Sequence, residues 1–113
     1  MLYREMTRNK EKVSQLGFGC MRFPVIDDDP AKIDRPKAVA MVREAIDHGV
    51  NYIDTAWGYH GEQSEDFVKE ALADGYRNRV FLDDKLPVWL TDTYASFEET
   101  LDTQLERCGT DHF

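Results

Sequence analysis

The sequence of 113 residues is long enough for one domain with a modest core. Its 42% hydrophobic and 12% aromatic content excludes general disorder, because so much apolar surface can be buried. The formal net charge of −8 argues against nucleic acid or an anionic membrane as a partner.

The sequence lacks the signals of export and membrane insertion. The first dozen residues are rich in charge and contain no apolar segment of the kind found in secretory signals, and no apolar run approaches a membrane span. The two cysteines, Cys20 and Cys108, are too few for a small disulfide-rich domain and match no metal-binding spacing. These observations predict a cytoplasmic protein without a metal site.

The first elements in chain order are short strands. Residues 2–6 and 12–16 are strand-like and flank a polar turn at 7–10, which predicts a β-hairpin. Residues 16–21 predict a further strand that ends in glycines, and residues 24–30 predict a polar loop.

Two helices and a strand are predicted next. Asp34 is a candidate N-cap, Pro36 lies in the first turn and Gly49 is a left-handed stop. The apolar face of this helix consists of Ala38, Met41, Val42, Ala45 and Ile46. Residues 50–54 then predict a strand, and a second helix begins near Ser64, with its apolar stripe at Phe67, Val68, Ala71 and Leu72 and its end at Gly75.

The last part of the chain repeats this alternation. Residues 80–82 begin another predicted strand, which Lys85 closes, and a third helix is predicted to end at Gly109. Its apolar face comprises Tyr94, Phe97, Leu101, Leu105 and Cys108. Alternating strands and helices predict an α/β fold with a parallel sheet and right-handed crossovers. Spacing alone leaves open whether the sheet is doubly wound or belongs to a (β/α)8 barrel.

Three reactive side chains follow predicted strand ends. Asp54 and Lys85 close two strands and Tyr59 lies in the loop between them, at the edge where parallel α/β proteins place their active sites. A nearby ammonium lowers the pKa of a phenol from its usual value near ~10, so such a tyrosine can protonate a carbonyl oxygen. The alternative is ordinary structure: a loop-capping Asp, a half-buried Tyr and a solvated Lys.

Four local motifs narrow this choice. They are Gly-Phe-Gly-Cys-Met-Arg at 17–22, Asn-Tyr-Ile-Asp-Thr-Ala-Trp-Gly-Tyr at 51–59, Ser64-Glu65 and Lys-Leu-Pro at 85–87. Together they closely resemble the aldo-keto reductases over essentially the whole chain, including the N-terminal hairpin. The segments 59–61 and 85–90 look most like a bacterial branch whose members often carry a C-terminal iron–sulfur module, which is absent from this sequence.

The resemblance implies a fold, a reaction and residue roles. Residues 1–113 would be the N-terminal part of a (β/α)8 barrel, with about three βα units of a complete barrel that needs ~250 residues. The complete form would transfer hydride from NADPH, or alternatively NADH, to a small-molecule aldehyde or ketone. Tyr59 would be the general acid, Lys85 would tune it and Asp54 would orient Lys85. The residues implied to contact the cofactor are Gly19, Cys20, Met21 and Asp54. The residues implied to contact the substrate are Trp57, Trp89 and His60. The two tryptophans would equally fit a packed barrel rim.

Two features depart from the family pattern. The family's catalytic histidine ends the fourth strand, and His112 comes several residues too early to take that role. Asp83 and Asp84 occupy positions where the family has small or hydroxylic residues. We expect one of these carboxylates to face the barrel core and the other the helices, and we expect Asp83 to pair with Lys85 in competition with Asp54.

The departures leave three hypotheses about function. The first is a reductase in its complete form, with residues 1–113 inactive alone. The second is a non-catalytic remnant that acts by association with a partner or with itself through open sheet edges. The third is a binding module that keeps partial affinity for the nicotinamide cofactor.

Overall fold

A three-stranded parallel sheet with helices packed against it forms the body of the structure, a computed structural model that describes residues 1–113. The strands are β1 (Tyr3–Glu5), β2 (Lys12–Ser14), β3 (Phe18–Gly19), β4 (Tyr52–Asp54) and β5 (Phe81–Asp83). The helices are α1 (Arg35–Asp47), α2 (Ser64–Ala71) and α3 (Tyr94–Cys108), with 3₁₀ turns at Tyr76–Arg79 and Val88–Leu90. The predicted order of hairpin and three βα units is confirmed.

The sheet order β3-β4-β5 follows the chain. Consecutive strands lie side by side, as they do over the first three units of a (β/α)8 barrel and also within one half of a doubly wound sheet. The outer edges of β3 and β5 have no partner strand. No helix combines the length and the apolar character that crossing a membrane would require.

The N-terminal hairpin is tied to the turn before β4. β1 and β2 pair antiparallel, with Tyr3 opposite Ser14. The Tyr3 hydroxyl donates to the Gly49 carbonyl at 2.9 Å, and the Ser14 backbone N–H donates to Oδ1 of Asn51 at 2.7 Å. These bonds hold the hairpin against the end of the sheet opposite to the predicted reactive residues.

The helix boundaries follow local signals. Oδ1 of Asp34 accepts from the Lys37 backbone N–H at 3.4 Å, which confirms the predicted cap of α1. Gly49 and Gly109 adopt positive φ angles of 98° and 62° after α1 and α3, as predicted. The second helix is shorter than predicted, since α2 ends at Ala71, four residues before the left-handed Gly75.

One hydrophobic cluster fills the layer between the sheet and the helices. Phe67 of α2 is fully buried, and its ring centroid lies 4.5 Å from that of Phe23. The other members come from all three strand–helix units: Cys20, Ile33, Ala38, Val42, Ile46, Val50, Ile53, Val68, Ala71, Leu72, Val80, Leu82 and Cys108. The core is therefore single and continuous.

The predicted buried face of α3 is wrong in part. Cys108 is buried as predicted, but Tyr94 is 79% exposed and Phe97 is 40% exposed, while Thr100 and Gln104 are buried instead. Gln104 turns inward because its amide bonds to polar groups of α2 and of the segment after β5.

Replacing Phe67 with Ala tests the core. Removing this fully buried ring should lower the free energy of unfolding by roughly 3–5 kcal/mol, because the lost burial and the remaining cavity add together. Urea denaturation followed by circular dichroism measures the loss. Met41→Ala, at a position 44% exposed, is the matched control and should change stability little; equal losses in both variants would contradict this description of the core.

Candidate active site

The parallel register brings three strand ends to one level. Asp54, the last residue of β4, lies opposite Gly19 of β3 on one side and Asp83 of β5 on the other. Met21 lies in the loop after β3, Tyr59 in the loop after β4 and Lys85 in the loop after β5. Residues separated by more than 60 positions in sequence therefore meet at one edge of the sheet.

Lys85 and Asp54 form an ion pair at this edge. Nζ of Lys85 donates to Oδ2 of Asp54 at 2.6 Å and to the carbonyl oxygen of Thr55 at 2.9 Å. Burial opposes the charge on Lys85, but hydrogen bonds to Asp54 and Tyr59 outweigh it and raise the pKa of the ammonium. Lys85 is therefore held as a cation in a defined position.

Tyr59 lies beside this cation. Nζ of Lys85 is 5.0 Å from the centroid of the Tyr59 ring. The loop is short and braced, because the Tyr59 N–H donates to the Ala56 carbonyl at 3.2 Å and the Tyr59 carbonyl accepts from the Ser64 N–H at 3.3 Å. The Lys85 ammonium therefore faces a Tyr59 ring that the loop holds in place, at cation–π distance.

The predicted competition between Asp83 and Asp54 for Lys85 is wrong. Lys85 has an ion pair with Asp54 and none with Asp83. Asp83 instead meets the hydroxyl of Tyr52, and burial followed by the charge of Asp83 raises the pKa of that phenol. Tyr52 and Asp83 lie on the same face of the sheet, since Tyr52 pairs with Phe81 and Asp54 pairs with Asp83.

Asp84 faces the helix layer, as expected for one of the two carboxylates. Its Oδ2 lies 3.9 Å from Sγ of Cys108, and the neighbouring Glu65 is fully buried. Glu65 accepts from Arg107 NH1 at 3.1 Å. Burial, and next the neighbouring Glu65, raise the pKa of Asp84 to about 7. The partly buried Asp84 carboxyl therefore holds its proton more tightly than an exposed aspartate does.

Gln104 is a residue that the sequence analysis missed. Its Nε2 donates to the Lys85 carbonyl and to Oε1 of Glu65, both at 3.0 Å. The backbone of Lys85 is therefore anchored from α3 while its side chain is anchored by Asp54. No sequence signal singles out Gln104, because an isolated Gln between apolar helix positions normally faces solvent.

A cavity of about 440 Å³ adjoins Tyr59. Its walls come from the loop after β3 and the loop after β4, and comprise Met21, Arg22, Phe23, Val25, Pro30 and residues 58–61. Met21 and His60, both predicted at the site, line it. A larger cavity of about 750 Å³ contains His112 and lies on other walls, with none of Asp54, Tyr59 or Lys85.

Six predicted site residues lie outside the cavity lining: Gly19, Asp54 and Lys85 at the strand ends, and Cys20, Trp57 and Trp89. The Cys20 side chain is completely buried in the core, so only its backbone can meet a ligand. The guanidinium of Arg107 stacks on the Trp57 ring, with its carbon 3.9 Å from the ring centroid. Nε1 of Trp57 donates to Glu62 at 3.0 Å. Trp89 is 71% exposed.

His60 links the two loops that form the cavity walls through hydrogen bonds. Its Nε2 accepts from the Phe23 N–H at 3.1 Å, and its Nδ1 lies 2.8 Å from the Pro30 carbonyl. An acceptor at Nε2 and a donor at Nδ1 require the neutral Nδ1–H tautomer. His60 reaches both partners from a left-handed backbone with φ of 55°.

The backbone at Gly19 is open to a ligand. A Cβ at this position would meet no atom within 4 Å, so the chain leaves space directly beside Asp54. Met21, two residues further on, is 47% exposed. These residues fit the approach of one end of a nucleotide cofactor, because a glycine backbone allows close contact.

Comparisons with known proteins agree with this geometry. The model of the aldo/keto reductase family matches residues 15–113. The uncharacterized oxidoreductase YqkF of Bacillus subtilis (strain 168) is 27% identical over 120 residues, which cover 99% of this chain and 37% of that protein.

Two solved structures are also similar. The thermostable aldo-keto reductase Tm1743, in complex with the inhibitor epalrestat, has a TM-score of 0.75 at 30% identity over 98% of this chain and 40% of its own. An aldo-keto reductase from Klebsiella pneumoniae in complex with NADPH has a TM-score of 0.77 at 28% identity, over 98% of this chain and 37% of its own. The chain therefore spans about two fifths of the length of such relatives.

Replacing Asp84 with Asn tests the buried carboxyl pair. A folded-state pKa of about 7 lies above the ordinary 3.8, so the native state binds the proton more tightly and the contribution of Asp84 to stability falls as pH rises between these values. Asp84→Asn should therefore raise the free energy of unfolding at pH 8 by roughly 1–2 kcal/mol more than at pH 5, with allowance for solvent screening.

Urea denaturation at both pH values measures this difference. Asp102→Asn, at an exposed position of α3, removes the same charge and should give equal effects at both. An effect of Asp84→Asn that does not depend on pH would show that Asp84 is ionised throughout.

Proposed function

The chain belongs to the aldo/keto reductase family, and from this premise we propose that its residues serve the NADPH-dependent reduction of a small aldehyde or ketone within a complete barrel. The observation that carries this proposal is the contact of Lys85 with Asp54 on one side and Tyr59 on the other. The barrel would extend beyond the three βα units of residues 1–113, which we interpret as one partial barrel domain because they share a single core.

Each of the three residues has a distinct task. Tyr59 donates its phenolic proton to the carbonyl oxygen while the carbonyl carbon is reduced. Lys85 stabilises the phenolate that is left, because its ammonium lies against the ring. Asp54 keeps Lys85 charged and in place through the 2.6 Å ion pair. NADPH, when bound, supplies the hydride.

The cofactor would be held by these residues at its reactive end. The open backbone at Gly19, the backbone of Cys20, the exposed side chain of Met21 and the carboxylate of Asp54 lie along one edge of the sheet. The Klebsiella pneumoniae relative was solved with NADPH, which favours NADPH over NADH as the cofactor.

The substrate would enter the cavity beside Tyr59. His60 holds its two walls at a fixed separation, and a volume of about 440 Å³ suits a small molecule. Trp57, held by Glu62 and Arg107, would form part of the rim. The exposure of Trp89 makes a direct contact with substrate the weakest of the proposed roles.

A second candidate function is association. The free edges of β3 and β5 carry unpaired backbone groups that could add a strand from a partner or from a second copy of this chain. This hypothesis predicts a concentration-dependent increase in mass in sedimentation equilibrium. A monomer at all concentrations, with no protein retained from a lysate, would contradict it.

Replacing Tyr59 with Phe tests the proposed reaction. The variant should be assayed by NADPH oxidation in a fusion with the remaining barrel segments of a relative, because residues 1–113 are expected to be inactive alone. We expect the reduction rate to fall by roughly 10²–10⁴-fold, because general acid catalysis is lost. Cofactor affinity should change little.

Tyr94→Phe is the control, because Tyr94 is 79% exposed and lies on α3. It should leave the rate unchanged. Undiminished turnover in Tyr59→Phe would contradict the assignment of the general acid.

A further inference from the structure

The cavity beside Tyr59 carries a positive charge in a protein with a net charge of −8. Arg22 is the single permanently charged side chain in its lining, and no carboxylate lines it. His60 contributes no charge, since its two hydrogen bonds require the neutral ring. An anion that enters this cavity therefore meets a cation and no opposing carboxylate.

Arg22 has unused hydrogen-bond donors. Its NH1 donates to the Met21 carbonyl at 3.0 Å, and no carboxylate lies within ion-pair distance. By contrast, Arg35, Arg43 and Arg79 each bond to a carboxylate at 3.1 Å or less. A guanidinium has five N–H donors in a planar fork that matches carboxylate and phosphate oxygens. Arg22 is exposed, and the rest of its donors have no protein partner.

The rest of the lining is largely apolar. Met21, Phe23 and Val25 supply hydrocarbon surface, and Phe23 is fixed by stacking on His60, with ring centroids 5.5 Å apart. We propose that Arg22 binds an oxyanion of the ligand that occupies this cavity, so that the carbonyl compound reduced at Tyr59 carries a carboxylate on an apolar body. This inference rests on the proposed function for its reaction, but not for its binding step. A phosphate of the nucleotide is the other source of such an oxyanion.

Binding to the full chain tests this assignment. Benzoate, its neutral analogue benzamide, and ADP-ribose are titrated separately while the Nε–H resonance of Arg22 and the ring resonances of His60 are followed by NMR. We expect saturable binding of benzoate, weakened roughly tenfold in Arg22→Gln and less in Arg22→Lys, because one charge-assisted contact is removed. Benzamide should bind more weakly and be insensitive to these substitutions.

Arg8→Gln is the matched control, because it removes the same charge from the turn between β1 and β2, outside the cavity. It should leave benzoate binding unchanged. If ADP-ribose and not benzoate loses affinity in Arg22→Gln, the oxyanion is a nucleotide phosphate and the assignment of a substrate carboxylate is wrong. The absence of saturable benzoate binding, or equal effects of Arg22→Gln and Arg8→Gln, would overturn the proposal altogether.

A reduction assay separates this inference from the proposed function. In the fusion with the remaining barrel segments, para-carboxybenzaldehyde should be preferred over benzaldehyde in kcat/KM, and Arg22→Gln should remove the preference. If both aldehydes are reduced equally before and after the substitution, the inference fails and the proposed function stands. If neither aldehyde is reduced while benzoate binding depends on Arg22, the proposed function fails and the binding site stands.

Discussion

The ion pair between Lys85 and Asp54 is the interaction on which the site depends. It joins the carboxyl end of β4 to the residues that follow β5, and the parallel register makes it possible because Asp54 lies level with the end of β5. With the ammonium also bound to the Thr55 carbonyl, Lys85 has little freedom to leave the Tyr59 ring. In the proposed reaction, this cation beside the phenol would assist proton donation by Tyr59.

A polar cluster of Gln104, Glu65 and Asp84, between the sheet and helices α2 and α3, supports this ion pair. Gln104 bonds to both the Lys85 carbonyl and Glu65, so α2 and α3 position the strand end through hydrogen bonds rather than through apolar packing alone. The same region explains how consecutive acidic residues are accommodated before Lys85. Asp83 lies close to Tyr52 on one face of the sheet. Asp84 lies on the helix side, where burial and Glu65 raise its pKa to about 7.

Sequence reasoning succeeded where a signal is local. The Asp34 cap, the left-handed Gly49 and Gly109, and the strand that ends at Asp54 each depend on a few neighbouring residues. The strand predicted to close at Lys85 ends at Asp83, two residues earlier. It failed where distant groups decide the outcome: the inward turn of Gln104 depends on α2 and on the segment after β5. The fastening of two loops by His60 likewise depends on a contact 37 positions away. Periodicity of apolar residues cannot anticipate such contacts, because it contains no information about the polar groups opposite.

The measurement that tests the central claim most directly is the pKa of the Lys85 ammonium, obtained from NMR of the side chain in the intact chain. The structure predicts a pKa above the ordinary lysine value, because bonds to Asp54 and Tyr59 outweigh burial, and a decrease in that pKa in Asp54→Asn. A Lys85 pKa at or below the ordinary value, or one that does not change in Asp54→Asn, would contradict the claim that this ion pair organises the site.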